Sequence, residues 1–340
     1  MNTTSKLFQE RRAYKPFEYP EFFNDGWLAQ MQAFWLHTKI PMSGDVKDWN
    51  ENLTPAEKHL VGNILMGFAQ MECAVGDYWS RQVVSWFPKP EIQHMGICFG
   101  SQETVHAVAY SYLNETLGLD NFDGFLHEPT ISNKLDLLMQ TSQSWTWHYI
   151  GEDSTVGRRA RREVARSLAV FSGFAEGVSL FSSFAVLYSF QLRNLLKGVG
   201  QQMFWSVKDE CLHSTMGCRL FNLMCSEFPS LRRDVEEEVY EAAQTIVELE
   251  EAFIDKMFEQ GDLVNLKTYD LKQFIRSRTC RKLEELGLTP IGTIEVDQAA
   301  ADNLSWFYDM TGGVTHTDFF AQQPVDYAKP NQNENWDLWK

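Results

Sequence analysis

Two copies of one short pattern, Glu103-Thr-Val-His106 and Glu210-Cys-Leu-His213, each lie inside a long stretch of helical periodicity. On a helix, a Glu and a His three residues apart project from one face, about one turn from each other. A single pair of this kind arises by chance in many helices and reads as ordinary packing. Two pairs constrain the chain far more when two further apolar helices each carry a lone carboxylate, here Glu72 and Glu176. Glu-x-x-His from each of two helices, facing a Glu from each of two others, is a recipe for a dinuclear metal site inside a four-helix bundle.

Glu176 makes the strongest physical case. Ser167 to Phe190 is almost wholly apolar, long enough to span a bilayer. An acidic group at its centre is costly in lipid, and the chain as a whole is polar, with a mean hydropathy of −0.33. The segment therefore reads as a buried core helix whose carboxylate is compensated by a proton or a metal, because a bare buried charge is too expensive. Together Glu72, Glu103, Glu176 and Glu210 with His106 and His213 form an oxygen-rich set of ligands. Its four carboxylates balance two divalent ions, and such a set suits iron or manganese with positions left for dioxygen.

The remaining composition narrows the class. A chain of 340 residues with a formal charge of −16 lacks the basic face that nucleic-acid binding needs. Arg158, Arg159, Arg161, Arg162 and Arg166 form a local basic run that reads as a solvated helix end. Glu236, Glu237, Glu238, Glu248, Glu250 and Glu251 read as the wet face of another helix. Six scattered cysteines, with no CxxC pair and no secretory signal, fit reduced thiols in the cytoplasm. No membrane association is expected.

Along the chain, Pro16 and Pro20 mark an extended N-terminal arm over 1–24. A helical domain is expected over 25–310, beginning with periodicity from Asp25 towards His37. Thr54-Pro55-Ala-Glu57 predicts a capped helix start, and Pro88 and Pro90 break the chain before the helix bearing Glu103. Further helices are expected over Lys134–Gly151, 167–190, around Glu210, and at about 231–259 and 269–286. From Thr311 the composition shifts to Gly, Pro, Asn and Gln, so 311–340 is expected to be a flexible tail. Its terminal Trp336, Leu338 and Trp339 among acidic residues suit docking on another protein.

In this order and spacing the chain closely resembles the small, radical-generating subunit of class I ribonucleotide reductase, over nearly its whole length. Phe34-Trp35 is followed by Glu72, Glu103-x-x-His106, Glu176 and Lys208-Asp209-Glu210-x-x-His213. The carboxylates are separated by 31, 73 and 34 residues, as in family members whose first ligand is Glu. Tyr14-Lys-Pro16-Phe-Glu-Tyr-Pro20 and the stretch from Asp318 to Tyr327 also fit.

The resemblance implies an all-α, ferritin-like helical bundle with the dinuclear site in its four-helix core. It matches Tyr110 to the position of the stored tyrosyl radical, with Leu180 and Phe184 as an apolar wall of the radical pocket. Trp35 and Asp209 match the pair that carries oxidising equivalents away through His106, and Tyr327 the tail residue that relays them onward. Its implied partners are a second copy of the chain in a homodimer and the large catalytic subunit, reached through the tail, which reduces ribonucleotides to deoxyribonucleotides. A flavoprotein activator belongs to the same set. Many tyrosyl-radical members have Asp where this chain has Glu72, and members with Glu include manganese–iron and dimanganese kinds. A di-iron centre leads, with Mn/Fe and Mn/Mn open, and so is the location of the oxidant. A related dimetal oxidase or hydroxylase acting on a small apolar substrate would use the same six ligands, and an iron-storage protein or helical scaffold is the non-enzymatic alternative.

Overall fold

The computed structural model describes residues 5–10, 13–119, 145–290 and 292–311, and within these the side chains of 69–73 are outside the description. The described residues are predominantly helical, and their only β pairing is one isolated bridge between Leu263 and Leu266. A π-helical stretch, Phe22–Leu28, runs into Ala29–Gln32 to form α1. The longer helices are α2 (Pro55–Asp77), α3 (Pro90–Leu117), α4 (Thr155–Arg193), α5 (Lys197–Glu227), α6 (Leu231–Met257) and α7 (Thr268–Glu285).

Local sequence explains the boundaries. Thr54 caps α2 through a reciprocal pair: its hydroxyl accepts from Glu57 N (3.3 Å), and the Glu57 carboxylate accepts from Thr54 N (2.8 Å). Pro90 opens α3 in its first turn, where a missing N–H costs nothing, and Gly118 closes it with φ of 73°. Helix α1 ends at Gln32, earlier than the periodicity towards His37 suggests. The chain then extends, so that Trp35 turns inward while Phe34 and Leu36 on either side stay exposed.

Helices α2 and α3 lie side by side, the centre of α4 packs on α5, and α3 also meets α5, which closes a four-helix core. Helices α6 and α7 cover the outer side of α4. The apolar window of α4 is wholly buried, so the one described helix long and apolar enough to cross a membrane is a core helix. It is longer than 167–190 at both ends, and its middle, Phe171–Ser179, is a π-helix. Close approach of α5 depends on Gly217: a Cβ there would lie 1.8 Å from Ser172 Oγ on that π-segment.

Two charge readings are corrected. Arg161 is not part of a solvated helix end; it is buried, donates to the carbonyls of Ile150 and Glu152, and stacks over Phe228. Glu250 is not on the wet face of α6; it is fully buried and accepts hydrogen bonds from Ser179 and Ser182 of α4. The other basic residues of the run are exposed or half-buried, with Arg162 and Arg166 paired to Glu238. Of the expected Lys134–Gly151 helix, Trp147–Ile150 is helical and 134–144 lies outside the described residues.

Candidate metal centre

Helix α3 brings Glu103 and His106, α5 brings Glu210 and His213, and the π-segment of α4 brings Glu176. All five are buried, at 0–1% exposure. Candidate ligand atoms of Glu103, Glu176, Glu210 and His213 lie within 4.8 Å of one another. Both imidazoles turn Nδ1 inward. His106 Nδ1 is 2.8 Å from Glu103 Oε2 and 3.2 Å from Glu210 Oε1. His213 Nδ1 is 2.6 Å from Glu103 Oε1 and 3.4 Å from Glu176 Oε2. Glu72 belongs to α2, and its side chain lies outside the described residues.

Packing three carboxylates into one dry site perturbs every proton on it. Burial raises Glu210, and the charge of Glu103 adds to this, so its carboxyl is pushed up to about 8. Glu176 is raised by burial as well, against the charge of His213 and the hydrogen bond from Trp79. Burial also acts on Glu103, but His106 and His213 overcome it and hold this carboxyl below the usual range. Burial opposes charge on both imidazoles, and the Glu103 carboxylate reverses it, so both are raised well above the ordinary histidine value. Protons thus occupy the lone pairs that a cation would use, and the two compete.

The donor set fits a metal on a second observation. Glu103 Oε1, Glu176 Oε2, both oxygens of Glu210 and His213 Nδ1 are buried without a hydrogen bond among the described residues. Buried polar atoms are rarely left this way. Here they converge on one point, at contact distances but without hydrogen-bond geometry, as ligand lone pairs aimed at a cation do.

The outward ring nitrogens are tied to a single carboxylate. His106 Nε2 lies 3.0 Å from Asp209 Oδ2. That oxygen also accepts from Trp35 Nε1 (2.7 Å) and Gln102 Nε2 (2.9 Å), while Oδ1 accepts from Gln30 Nε2 (2.8 Å). The carbonyl of Gln30 lies 3.1 Å from His213 Nε2. Asp209 therefore orients one imidazole directly and the other through Gln30, the usual way a protein fixes the tautomer of a ligating histidine. Trp79 donates to Glu176 Oε1 at 2.5 Å and orients that carboxylate.

Tyr110 is fully buried, its ring centre 6.0 Å from that of His106 and 4.9 Å from that of Phe68. Phe68 in turn lies 5.2 Å from Phe184, and Leu180 is buried on the same helix as Phe184. Trp35 stacks on His106 at 5.7 Å, and its ring centre lies 5.2 Å from that of Trp205. Tyr327 lies outside the described residues.

Three polar contributors are additional to the residues nominated from sequence: Gln30, Gln102 and Trp79. A signal existed for Gln102. It immediately precedes Glu103 as Asp209 immediately precedes Glu210, and two residues at equal offsets in paired motifs meet when the motifs meet. Trp79 follows Glu72 by seven residues, two helical turns along one face. Gln30 had no comparable signal.

The sequence profile of the family described as "Ribonucleotide reductase, small chain" matches residues 11–297. A probable ribonucleoside-diphosphate reductase small subunit of Invertebrate iridescent virus 3 is 34% identical over 344 residues, covering 97% of this chain and 88% of its own. One from Invertebrate iridescent virus 6 is 33% identical over 359 residues, with 98% of each chain covered. Among solved structures, the dimanganese(II)-NrdF of Streptococcus sanguinis superposes with a TM-score of 0.68 at 21% identity, covering 87% of this chain and 99% of that one. The ribonucleotide reductase R2 subunit from Clostridium botulinum gives a TM-score of 0.71 at 16% identity, over 88% and 91% of the two chains. These two likenesses establish a shared fold.

Proposed function

The chain belongs to the ribonucleotide reductase small-chain family, and on that premise we propose that it assembles a dinuclear metal cofactor and exports an oxidising equivalent to the large subunit. Glu72, Glu103, His106, Glu176, Glu210 and His213 hold the ions, with iron in both positions as the leading choice and Mn/Fe or Mn/Mn as the others. When bound, the metals supply the oxidising power by activating dioxygen or a reduced oxygen species. Tyr110 gives up an electron and a proton and stores the oxidising equivalent, and the aromatic and aliphatic wall of Phe68, Leu180 and Phe184 keeps water from it.

The observation that carries this reading is the shared carboxylate of Asp209, which accepts from the Trp35 indole and faces His106 at once. An oxidase that turns over its own substrate has no need of a tryptophan coupled to a ligating histidine. In the export reading Asp209 holds the indole proton while the electron leaves Trp35, and Tyr327 in the tail passes the equivalent on. The arm over 1–24, the helical domain over 25–310 and the docking tail over 311–340 form the working unit. It acts in the cytoplasm as a homodimer, with a flavoprotein activator where manganese is used.

The test is electron paramagnetic resonance after loading apoprotein with Fe(II) and admitting air, with Tyr110→Phe in parallel. A tyrosyl signal in the parent that vanishes in the variant is the expected result. No radical in either protein would overturn the role of Tyr110 and move the assignment to a manganese-containing centre.

A further inference from the structure

The π-segment Phe171–Ser179 carries Glu176, so its register decides where that carboxylate points. A π-turn takes in more residues than an α-turn, and such turns are rare and short because their geometry needs support from the surrounding fold. One residue of register is about 100° of rotation about a helix axis. If the segment relaxed into α-helix, Glu176 would swing by about that angle relative to the half of α4 that begins at Phe181. Its carboxylate would then leave the cluster it forms with Glu103, Glu210 and His213.

The support comes from α7. Arg278 is buried, and its Nε donates to the carbonyl of Gly177, the residue after Glu176, at 2.6 Å. The guanidinium carbon lies 3.2 Å from the ring centre of Phe181, and Nη1 is 3.4 Å from the Tyr308 hydroxyl. Gly177 and Phe181 stand on either side of the change from π to α geometry, so one rigid side chain grips both. The fit is close: a Cβ at Gly177 would lie 2.7 Å from Lys282 Cε of α7 and 2.8 Å from Ser214 Oγ of α5. The next turn is tied to α6, where Glu250 accepts from Ser179 and Ser182. Burying a cation is expensive; here the charge-assisted hydrogen bond and the ring contact offset that cost. We propose that Arg278 is a positioning residue for Glu176: it touches no candidate ligand, but it holds the π-register that aims this carboxylate at the metals. The inference rests on the reading of Glu176 as a metal ligand under the proposed function.

Titration of the chelator-treated full chain with Mn(II), with free Mn(II) read by electron paramagnetic resonance, tests it. The parent should bind two ions. In Arg278→Gln the affinity for one of them should fall about tenfold or more, the size of effect seen when the partner of a ligand is removed, while the other ion is held as before. Hydrogen exchange should show faster amides over 177–182 in the same variant. Arg278→Lys keeps the charge but not the planar fork that spans Gly177 and Phe181, so it should lie between parent and Arg278→Gln in both readouts; it decides the matter alone if Arg278→Gln does not fold. Leu271→Ala, which opens a core cavity two turns earlier on α7, should lower the unfolding midpoint and leave Mn(II) binding and these amides unchanged. Parent-like binding and exchange in the folded Arg278 variants, equal weakening of both ions, or the same weakening in Leu271→Ala each overturn the positioning role. A parent that binds no Mn(II), or a Glu176→Gln variant that binds it as the parent does, overturns the metal reading of Glu176 and the role of Arg278 with it.

Discussion

Glu210→Gln separates what the acidic cluster does for the metal from what it costs the fold. Glu210 is fully buried, and neither of its oxygens makes a hydrogen bond among the described residues. Folding pushes its carboxyl up from the ordinary 4.5 to about 8, chiefly through burial and then the charge of Glu103. Between those values the native state binds a proton that the unfolded state has released. Stability therefore falls as pH rises through the window and is level on either side of it. At about 1.36 kcal/mol per unit, the fall from about pH 5.5 to about pH 7.5 is on the order of 2 kcal/mol. Glutamine keeps the shape and removes the titration. Its amide brings a fixed cost of about 1–3 kcal/mol if unsatisfied, but that cost is the same at both pH values and drops out of the comparison. His106 and His213 titrate in both proteins and cancel to the same order. The assay is denaturant unfolding of chelator-treated parent and variant at the two pH values, the lower one chosen above the isoelectric point of 4.9. The stability of the variant relative to the parent should improve by on the order of 2 kcal/mol from the lower to the higher pH, while its metal affinity falls. A difference that stays constant, or moves the other way, would refute the claim that Glu210 is a strained acid held for a cation.

Asp209→Asn replaces a carboxylate that accepts three hydrogen bonds from Gln30, Trp35 and Gln102 with a group that must turn an NH2 towards some of them. It should cost about 3 kcal/mol in the apoprotein; a loss below about 1 kcal/mol by denaturant unfolding would mean that the network tolerates the amide. Trp79→Phe removes the donor to Glu176 Oε1, which raises that carboxyl further. Metal uptake should then weaken more near pH 6 than near pH 7.5, because protons compete better for the raised group; equal weakening at both, measured by metal titration, would contradict this. Gly217→Ala forces a Cβ to within 1.8 Å of Ser172 Oγ and should destabilise by about 1–3 kcal/mol. Adding Ser172→Gly should recover part of that loss, and strict additivity in the double mutant would exclude the clash as its cause.

Much of the site was legible because it is written in helical arithmetic. The three-residue spacing of each Glu-x-x-His pair, and the isolation of Glu176 in an apolar run, depend only on which face of a helix a residue occupies. The two misread charges were legible by the same arithmetic, and it was the residue type that misled. Glu250 lies in the stripe Ala243, Ile246, Val247, Phe253, Ile254 and Met257, and Arg161 in the stripe Ala160, Val164, Ala165 and Leu168, all buried. A charge in register with an apolar stripe faces inward whatever its neighbours in sequence suggest. What spacing does not reach is the meeting of distant elements. Gln30 joins the network because α1 lies across the bundle and ends just before Trp35, so that the chain can leave the helix and turn that ring inward. The π-segment around Glu176 is of the same kind: its wider turn shifts the helical register, and it packs where Gly217 lets α5 come close. Those features come from tertiary packing, and they decide the orientation of candidate ligands that the sequence had already nominated. The metal itself belongs to a further level. Iron and manganese accept the same carboxylate and imidazole donors, so neither spacing nor packing distinguishes them.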